Sequence, residues 1–361
     1  MNEPKINVLV ADDSQVARML LVHVLESDPQ IRVLGVVNDG QAALDFLQAH
    51  KPDVIVMDIH MPRMDGFEAT RRIMETLPLP IVICSGTTDP HEVATTFRVL
   101  EAGAVACVEK PVTREHPDFE SLAANLRQTV RLMSEVKVVR RWPRSRLAEG
   151  TETLKRTGPI KLKAGGVRFI GMGASTGGPP VLQTILTGLA RDLPAPVLIV
   201  QHIARGFLPG FVEWLGQTTG WPIHIAGHGM APLSGHAYLA PDDFHMGLAP
   251  NGRLFLSREE PVGGLRPSVG YLFRTLVDTC GAQAVGVLLT GMGRDGAMEL
   301  KMMRDAGADT IAQNRETSVV HGMPGEAIAL GGAVHVLSSE TIAAAILAVV
   351  RRRTPSGGIE P

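Results

Sequence analysis

The sequence predicts an α/β protein of two domains, each built on a largely parallel sheet. Short uninterrupted apolar runs recur along the chain and end in acids or glycine turns, as buried parallel strands do at a sheet rim. The 361 residues exceed the roughly 250 to 300 that a single core usually reaches. Between residues 136 and 166 the hydrophobic periodicity lapses for longer than a compact domain tolerates. The expected division is a doubly wound domain at 1–135, a linker at 136–166, a three-layer α/β/α domain with a mostly parallel sheet at 167–350, and a tail at 351–361.

The first apolar run, Ile6 to Val10, delivers Ala11-Asp12-Asp13, and Val54 to Met57 delivers Asp58. Ile81 to Cys84 ends in Ser85-Gly86-Thr87, and Val105 to Val108 ends in Glu109-Lys110-Pro111. Four strand ends thus meet at one rim, where open α/β sheets bind ligands. Three carboxylates there repel one another unless a cation sits among them. A small, water-retaining oxygen site suits Mg²⁺. Asp12, Asp13 and Asp58 then hold the metal, Asp58 is the nucleophile toward a phosphoryl donor, and Ser85 and Lys110 contact the phosphoryl oxygens. Any one of these acids is more simply a solvated loop residue; four groups in order on four strands argue against chance.

With Met61-Pro62-Arg63-Met64-Asp65-Gly66 following Asp58, residues 1 to about 125 resemble a response-regulator receiver domain. The resemblance implies a five-stranded parallel sheet and a histidine kinase as phosphodonor. Cys107 stands three positions before the lysine, where receivers often carry an aromatic switch residue, so signalling through such a ring is in doubt.

A helical pattern persists to about Glu135 and breaks at Arg140-Arg141-Trp142-Pro143-Arg144. This basic stretch reads as a solvated tether ahead of a nucleic-acid contact, with Trp142 the residue suited to docking. Lys and Arg total 35 against 37 acids, so charge points to neither nucleic acid nor an anionic membrane. The three cysteines, Cys84, Cys107 and Cys280, lack metal-ligand spacing and read as free thiols in a reducing compartment. No signal segment opens the chain, and no apolar run reaches the ~18 residues of a membrane span. The expected location is cytoplasmic, without membrane insertion.

In the second domain Val167 to Ile170 reads as a strand, followed by the turn Gly171 to Pro180 and a helical run from Val181. Glycines around Ser175 permit a tight reversal that exposes its hydroxyl beside a helix N-terminus, whose free amides can stabilise an oxyanion. Thr176 occupies the third slot of a dinucleotide fingerprint, and a Walker lysine is absent. A plain structural turn remains the competing reading of this segment alone. Val197 to Val200 then brings Gln201-His202 to the sheet edge, and Val285 to Leu289 brings Thr290-Gly291-Met292-Gly293-Arg294-Asp295-Gly296. Ser175, His202 and Asp295 can meet as nucleophile, general base and orienting acid, with the backbone amides of Thr176 and Met292 as oxyanion candidates.

The chain order Ser, His, Asp differs from the Ser, Asp, His of α/β-hydrolases despite the Gly-x-Ser-x-Gly match. It is similar to that of chemotaxis protein-glutamate methylesterases, which carry Gly-Ala-Ser-Thr-Gly-Gly, Gln-His and Gly-Met-Gly-x-Asp-Gly, here ending on Ser175, His202 and Asp295. Further matches are Gly235 to Pro241, Arg266 to Val269 and Gly322 to Pro324. The resemblance implies demethylation of glutamate methyl esters and deamidation of glutamines on chemoreceptors, with no cofactor for the ester reaction. Two sites joined by a tether in one chain lead to the further expectation that the receiver restrains the Ser175 site until Asp58 is phosphorylated. Two departures are Gly270, where the family commonly has an acid, and Asn314-Arg315 after Gln313, where Asp-Glu is usual.

Other readings are a phosphorylation-controlled interaction module, an esterase in a chemosensory pathway other than chemotaxis, and a DNA-binding regulator. For the last, the second domain is too large and β-rich to be a helix-turn-helix output. His224, His228, His236 and His245 invite a zinc reading, but glycines among them argue for structural or surface histidines.

Overall fold

The computed structural model describes residues 5–86, 90–111, 113, 116–136, 138 and 166–353, and the chain divides into two compact units, Met1–Glu149 and Gly150–Pro361. Most of the expected linker, Trp142 included, and tail residues 354–361 lie outside the described residues.

The first unit alternates β1 (Ile6–Ala11), α1 (Gln15–Glu26), β2 (Ile31–Val37), α2 (Gly40–Ala49), β3 (Val54–Met57), α3 (Gly66–Thr76), β4 (Ile81–Ser85), α4 (Pro90–Ala102), β5 (Ala106–Glu109) and α5 (Phe119–Ser134). The sheet runs β2-β1-β3-β4-β5 and is parallel throughout. Central strands β1, β3 and β4 bury continuous Val, Ile and Leu, whereas edge strand β2 is mostly half-buried and leaves Arg32 and Val36 exposed. Helix starts are fixed by side chains: Ser14, Asp39 and Asp65 cap α1, α2 and α3 by accepting from the amides of Ala17, Ala42 and Glu68. Asp39 is fully buried and also pairs with Arg63, so burial, which opposes ionisation, is outweighed by the Ala42 amide and the guanidinium, and its carboxyl sits below the usual range.

The second unit continues with β6 (Phe169–Ala174), α6 (Gly178–Gly188), β7 (Val197–Gln201), α7 (Leu208–Thr219), β8 (Ile223–Ile225), β9 (Ala237–Leu239), β10 (His245–Leu248), β11 (Leu254–Ser257), α8 (Val269–Cys280), β12 (Ala284–Leu288), α9 (Ala297–Asp305), β13 (Asp309–Gln313), α10 (Met323–Ala329), β14 (His335–Leu337) and α11 (Ser339–Arg353). Seven strands form a parallel sheet in the order β14-β13-β12-β6-β7-β9-β8, and β10 and β11 form a separate antiparallel hairpin. Helix α6 packs on α7 and α11, while α8 packs on α9 and α9 on α10, giving the two helical layers.

Strand β6 reaches four residues past the expected Ile170. Gly171 and Gly173 belong to the strand because a Cβ at either would strike α8, at Leu276 and Phe273 or at Val269. Helix α6 starts at Gly178 rather than Val181, with the two prolines inside its first turn, where no amide hydrogen is needed. Phe273 and Leu276 of α8 are fully buried in one cluster with Leu198, Leu288 and Leu300, each contributing about 1.5 to 3 kcal/mol relative to exposure. The order of strands reverses at β6, which lies between β12 and β7. That is the position at which open parallel sheets carry their sites.

Candidate active site

Ser175 directly follows β6, and its turn is held from three sides. Its amide donates to Thr290 O (3.0 Å), and its carbonyl accepts from Gly178 N (2.8 Å) and Gln201 Nε2 (2.9 Å). Gly177, at φ 78°, takes the left-handed conformation that lets the chain reverse into α6. Thr290, itself held by Gln313 Oε1 at its amide (2.8 Å), donates its hydroxyl to Thr176 O (2.9 Å). The loop after β12 approaches so closely that a Cβ at Gly291 would lie 2.7 Å from Ser175 Cβ. Met292 is therefore beside the serine. The amides of Thr176 and Met292 donate to no group among the described residues, as oxyanion donors require.

His202 begins the loop after β7, with its amide on Ala174 O (2.9 Å). Its Nε2 lies 3.0 Å from Asp295 Oδ2, and both side chains are largely buried. Asp295 is gripped at the N-terminus of α8: Ser268 Oγ (2.7 Å) and Gly270 N (3.0 Å) donate to Oδ1, and Val269 N (2.7 Å) donates to Oδ2. Burial alone raises a carboxyl, but the hydrogen bonds from His202, Ser268 and Gly270 outweigh it and hold Asp295 below its ordinary value. The structure thus brings His202 and Asp295 into contact and sets Ser175 on the adjoining strand end. Ser175 Oγ and His202 Nδ1 make no hydrogen bond among the described residues, a looseness common before substrate is bound.

The sequence reading noted Arg266 to Val269 only as a motif match and gave Ser268 and the two α8 amides no contact with Asp295. Ser268 before an apolar helical run is an N-cap signal, but nothing in the sequence says which acid that helix end faces. At Gly270 a Cβ would lie 2.7 Å from Glu299 Oε2, the carboxylate end of a flexible side chain on α9. Asn314 closes its own loop, its Oδ1 accepting from Thr317 Oγ1 at 2.6 Å.

In the first unit Asp12, Asp13 and Asp58 converge with carboxylate oxygens within 4.8 Å, and among the described residues no other three His, Cys, Asp or Glu side chains form such a group. Lys110 Nζ lies 2.7 Å from Asp12 Oδ2 and 3.0 Å from Asp58 Oδ1, and its amide donates to Ser85 O at 2.8 Å. Ser85 is buried on the same rim. Asp12 Oδ2 is buried with the Lys110 ammonium 2.7 Å away, and a carboxylate oxygen so placed keeps a further lone pair for a cation. Burial pushes the Asp58 carboxyl up, with Asp12 adding to the effect and Lys110 opposing it. The oxygen-only donor set fits Mg²⁺. Cys84, just behind this rim, is pushed up to about 12 by burial and is inert.

The histidines that invited zinc are structural. His224 Nε2 and His236 Nδ1 are 2.9 Å apart, with ring planes 10° apart and centroids 5.1 Å apart. Each centroid lies about 1.1 Å from its ring nitrogen, so these values describe two rings pointing head to head in a hydrogen bond rather than converging on a third atom. His228 Nδ1 accepts from Leu256 N at 3.2 Å, and His245 is buried against Tyr271. No helix among the described residues is long and apolar enough to cross a membrane.

Comparison with known proteins finds a family match in each of the two units. The family model described as CheB methylesterase matches residues 170–346, and that of the response regulator receiver domain matches residues 8–117. A protein-glutamate methylesterase/protein-glutamine glutaminase of Nitrosospira multiformis is 51% identical over 348 residues, spanning 96% of this chain and 98% of its own. One from Geobacter metallireducens is 52% identical over 351 residues, spanning 96% of this chain and 100% of its own. The crystal structure of the Thermotoga maritima CheB methylesterase catalytic domain is 34% identical, with a TM-score of 0.50, and covers 52% of this chain and 100% of that domain.

Proposed function

Because this chain belongs to the CheB methylesterase family and carries a receiver domain ahead of the methylesterase domain, we propose that it removes methyl groups from glutamate methyl esters of chemoreceptors, and deamidates receptor glutamines, by a serine nucleophile under phosphorylation control. The observation that carries the mechanism is the His202–Asp295 contact at 3.0 Å, with Asp295 fixed by three further donors, on the rim that presents Ser175.

Asp295 holds Nε2 of the imidazole, so Nδ1 takes the proton of Ser175 Oγ as the oxygen attacks the ester carbonyl. The developing oxyanion is met by the amides of Thr176 and Met292. Collapse of the tetrahedral intermediate expels methanol, with the proton returned from His202, and water resolves the acyl-serine to glutamate by the same steps in reverse roles. A glutamine side chain follows the same path and releases ammonia. The chemistry needs no cofactor.

In the receiver, Asp12, Asp13 and Asp58 would hold Mg²⁺, which when bound would supply charge neutralisation for phosphoryl transfer to Asp58, with a histidine kinase as donor. Lys110 and Ser85 contact the phosphoryl oxygens on Asp58. The segment 136–166 serves as a tether, and the unphosphorylated receiver restrains the Ser175 site. The setting is the cytoplasm, where a receptor's signalling helices are reached without membrane insertion.

The test is mass spectrometry of receptor peptides after incubation with the chain. Wild type converts glutamate methyl esters to glutamate and Ser175→Ala does not. Unchanged peptides with folded, phosphorylated wild type would favour an interaction module instead.

A further inference from the structure

We propose that Gln201 is a positioning residue that locks the serine turn and the histidine loop into one register. The proposal rests on the reading above, in which Ser175 is the nucleophile and His202 its base.

Gln201 ends β7 opposite Ala174, the last residue of β6, in the parallel ladder. Its side chain therefore starts level with the point where the serine turn leaves the sheet. Nε2 donates to both Ser175 O (2.9 Å) and His202 O (2.7 Å), so one planar amide ties together the main chains of the two residues that exchange a proton. The residue is 5% exposed, and no water-facing route replaces these bonds. Its amide orientation is fixed by chemistry. Reversal would turn Oε1 onto two carbonyl oxygens, whereas in the observed orientation Oε1 faces the start of α6, buried and without a hydrogen-bond partner among the described residues. A Cβ at Gly178 would collide with that Oε1, so the first residue of α6 is shaped around this side chain. An acceptor left unsatisfied in a protein interior is costly, and here it accompanies a donor placed on both proposed reacting residues. No other side chain bonds to the main chains of both Ser175 and His202 among the described residues.

The consequence is kinetic. Without the clamp, the serine and histidine loops keep their separate anchors, Thr290 O on Ser175 N and Ala174 O on His202 N, but their spacing is no longer set by one group. Displacements near 1 Å cost on the order of 100-fold in rate.

Gln201→Leu and Gln201→Glu are compared with wild type and Ser175→Ala in the full chain, following methanol release from methylated receptor across a range of pH. Both Gln201 variants are expected to lose roughly 10- to 100-fold in kcat at neutral pH with KM within about twofold of wild type. The activity of Gln201→Glu relative to wild type is expected to recover as pH falls, because a protonated carboxyl again donates to a carbonyl, while that of Gln201→Leu stays flat. Thermal melts establish that each variant is folded; if Gln201→Leu does not fold, the pH trend of Gln201→Glu decides. A folded variant with kcat within about twofold of wild type, a loss confined to KM, or a flat Gln201→Glu ratio would each overturn the positioning role. Inactive wild type would instead overturn the serine esterase reading on which the role rests.

Discussion

His202 Nε2 lies 3.0 Å from Asp295 Oδ2, which leaves Nδ1 as the ring nitrogen open to the proposed nucleophile Ser175. Asp295→Asn keeps the shape of the carboxylate but offers an amide group to donors already aimed at it. Its kcat is expected to fall by about 10²- to 10⁴-fold, with KM little changed. Steady-state kinetics on methylated receptor check this; a change confined to KM would assign Asp295 to substrate binding.

Ser268→Ala removes the bond to Asp295 Oδ1 (2.7 Å) and the cap on Tyr271 N (3.2 Å) together. The expected costs are about 1 to 3 kcal/mol of stability and roughly a tenfold loss in kcat. Denaturant unfolding and kinetics on the same preparation separate the two. Stability lost without any kinetic effect would show that the two α8 amides suffice to hold the acid.

The depressed Asp295 carboxyl makes a signed statement about pH. A group whose folded value lies below its ordinary 3.8 stabilises the native state fully above 3.8 and loses that contribution as pH falls through the folded value. Wild type is therefore expected to exceed Asp295→Asn in unfolding free energy by about 1.5 to 3 kcal/mol at neutral pH. The gap should shrink in acid below 3.8. A gap independent of pH would mean that the ionised carboxylate is not what the surrounding donors hold.

Mg²⁺ is expected to raise the unfolding temperature of the unphosphorylated chain, by an amount set by about 2.7 kcal/mol at a hundredfold excess over its dissociation constant. Asp12→Asn should abolish the increase, since it removes charge from the oxygen cluster that spans 4.8 Å. An equal Mg²⁺ effect in that variant would place the ion elsewhere.

Removal of residues 1 to about 140 is expected to give esterase activity above that of the unphosphorylated whole chain. Activity no higher than that would rule out restraint by the receiver.

Much of both sites was legible because their residues end buried strands: Asp12, Asp58, Ser85, Ser175 and His202 all follow continuous apolar runs. The same logic missed β2, whose edge position leaves it mostly half-buried, and β13, which opens on the buried but polar pair Asp309 and Thr310. Glycines misled locally. Gly171 and Gly173 read as turn residues, yet they lie in β6 to admit α8. Contacts distant in sequence were invisible: the donors to Asp295 from Ser268, Val269 and Gly270 lie 27, 26 and 25 residues away. So was the direction of the His202 ring, which only packing decides.

The most direct measurement of the central claim is methanol released from methyl-labelled receptor membranes by the purified chain, with and without a small phosphodonor plus Mg²⁺, beside Ser175→Ala. Release is expected to rise with the phosphodonor and to vanish in the variant. Release that persists in Ser175→Ala would contradict it.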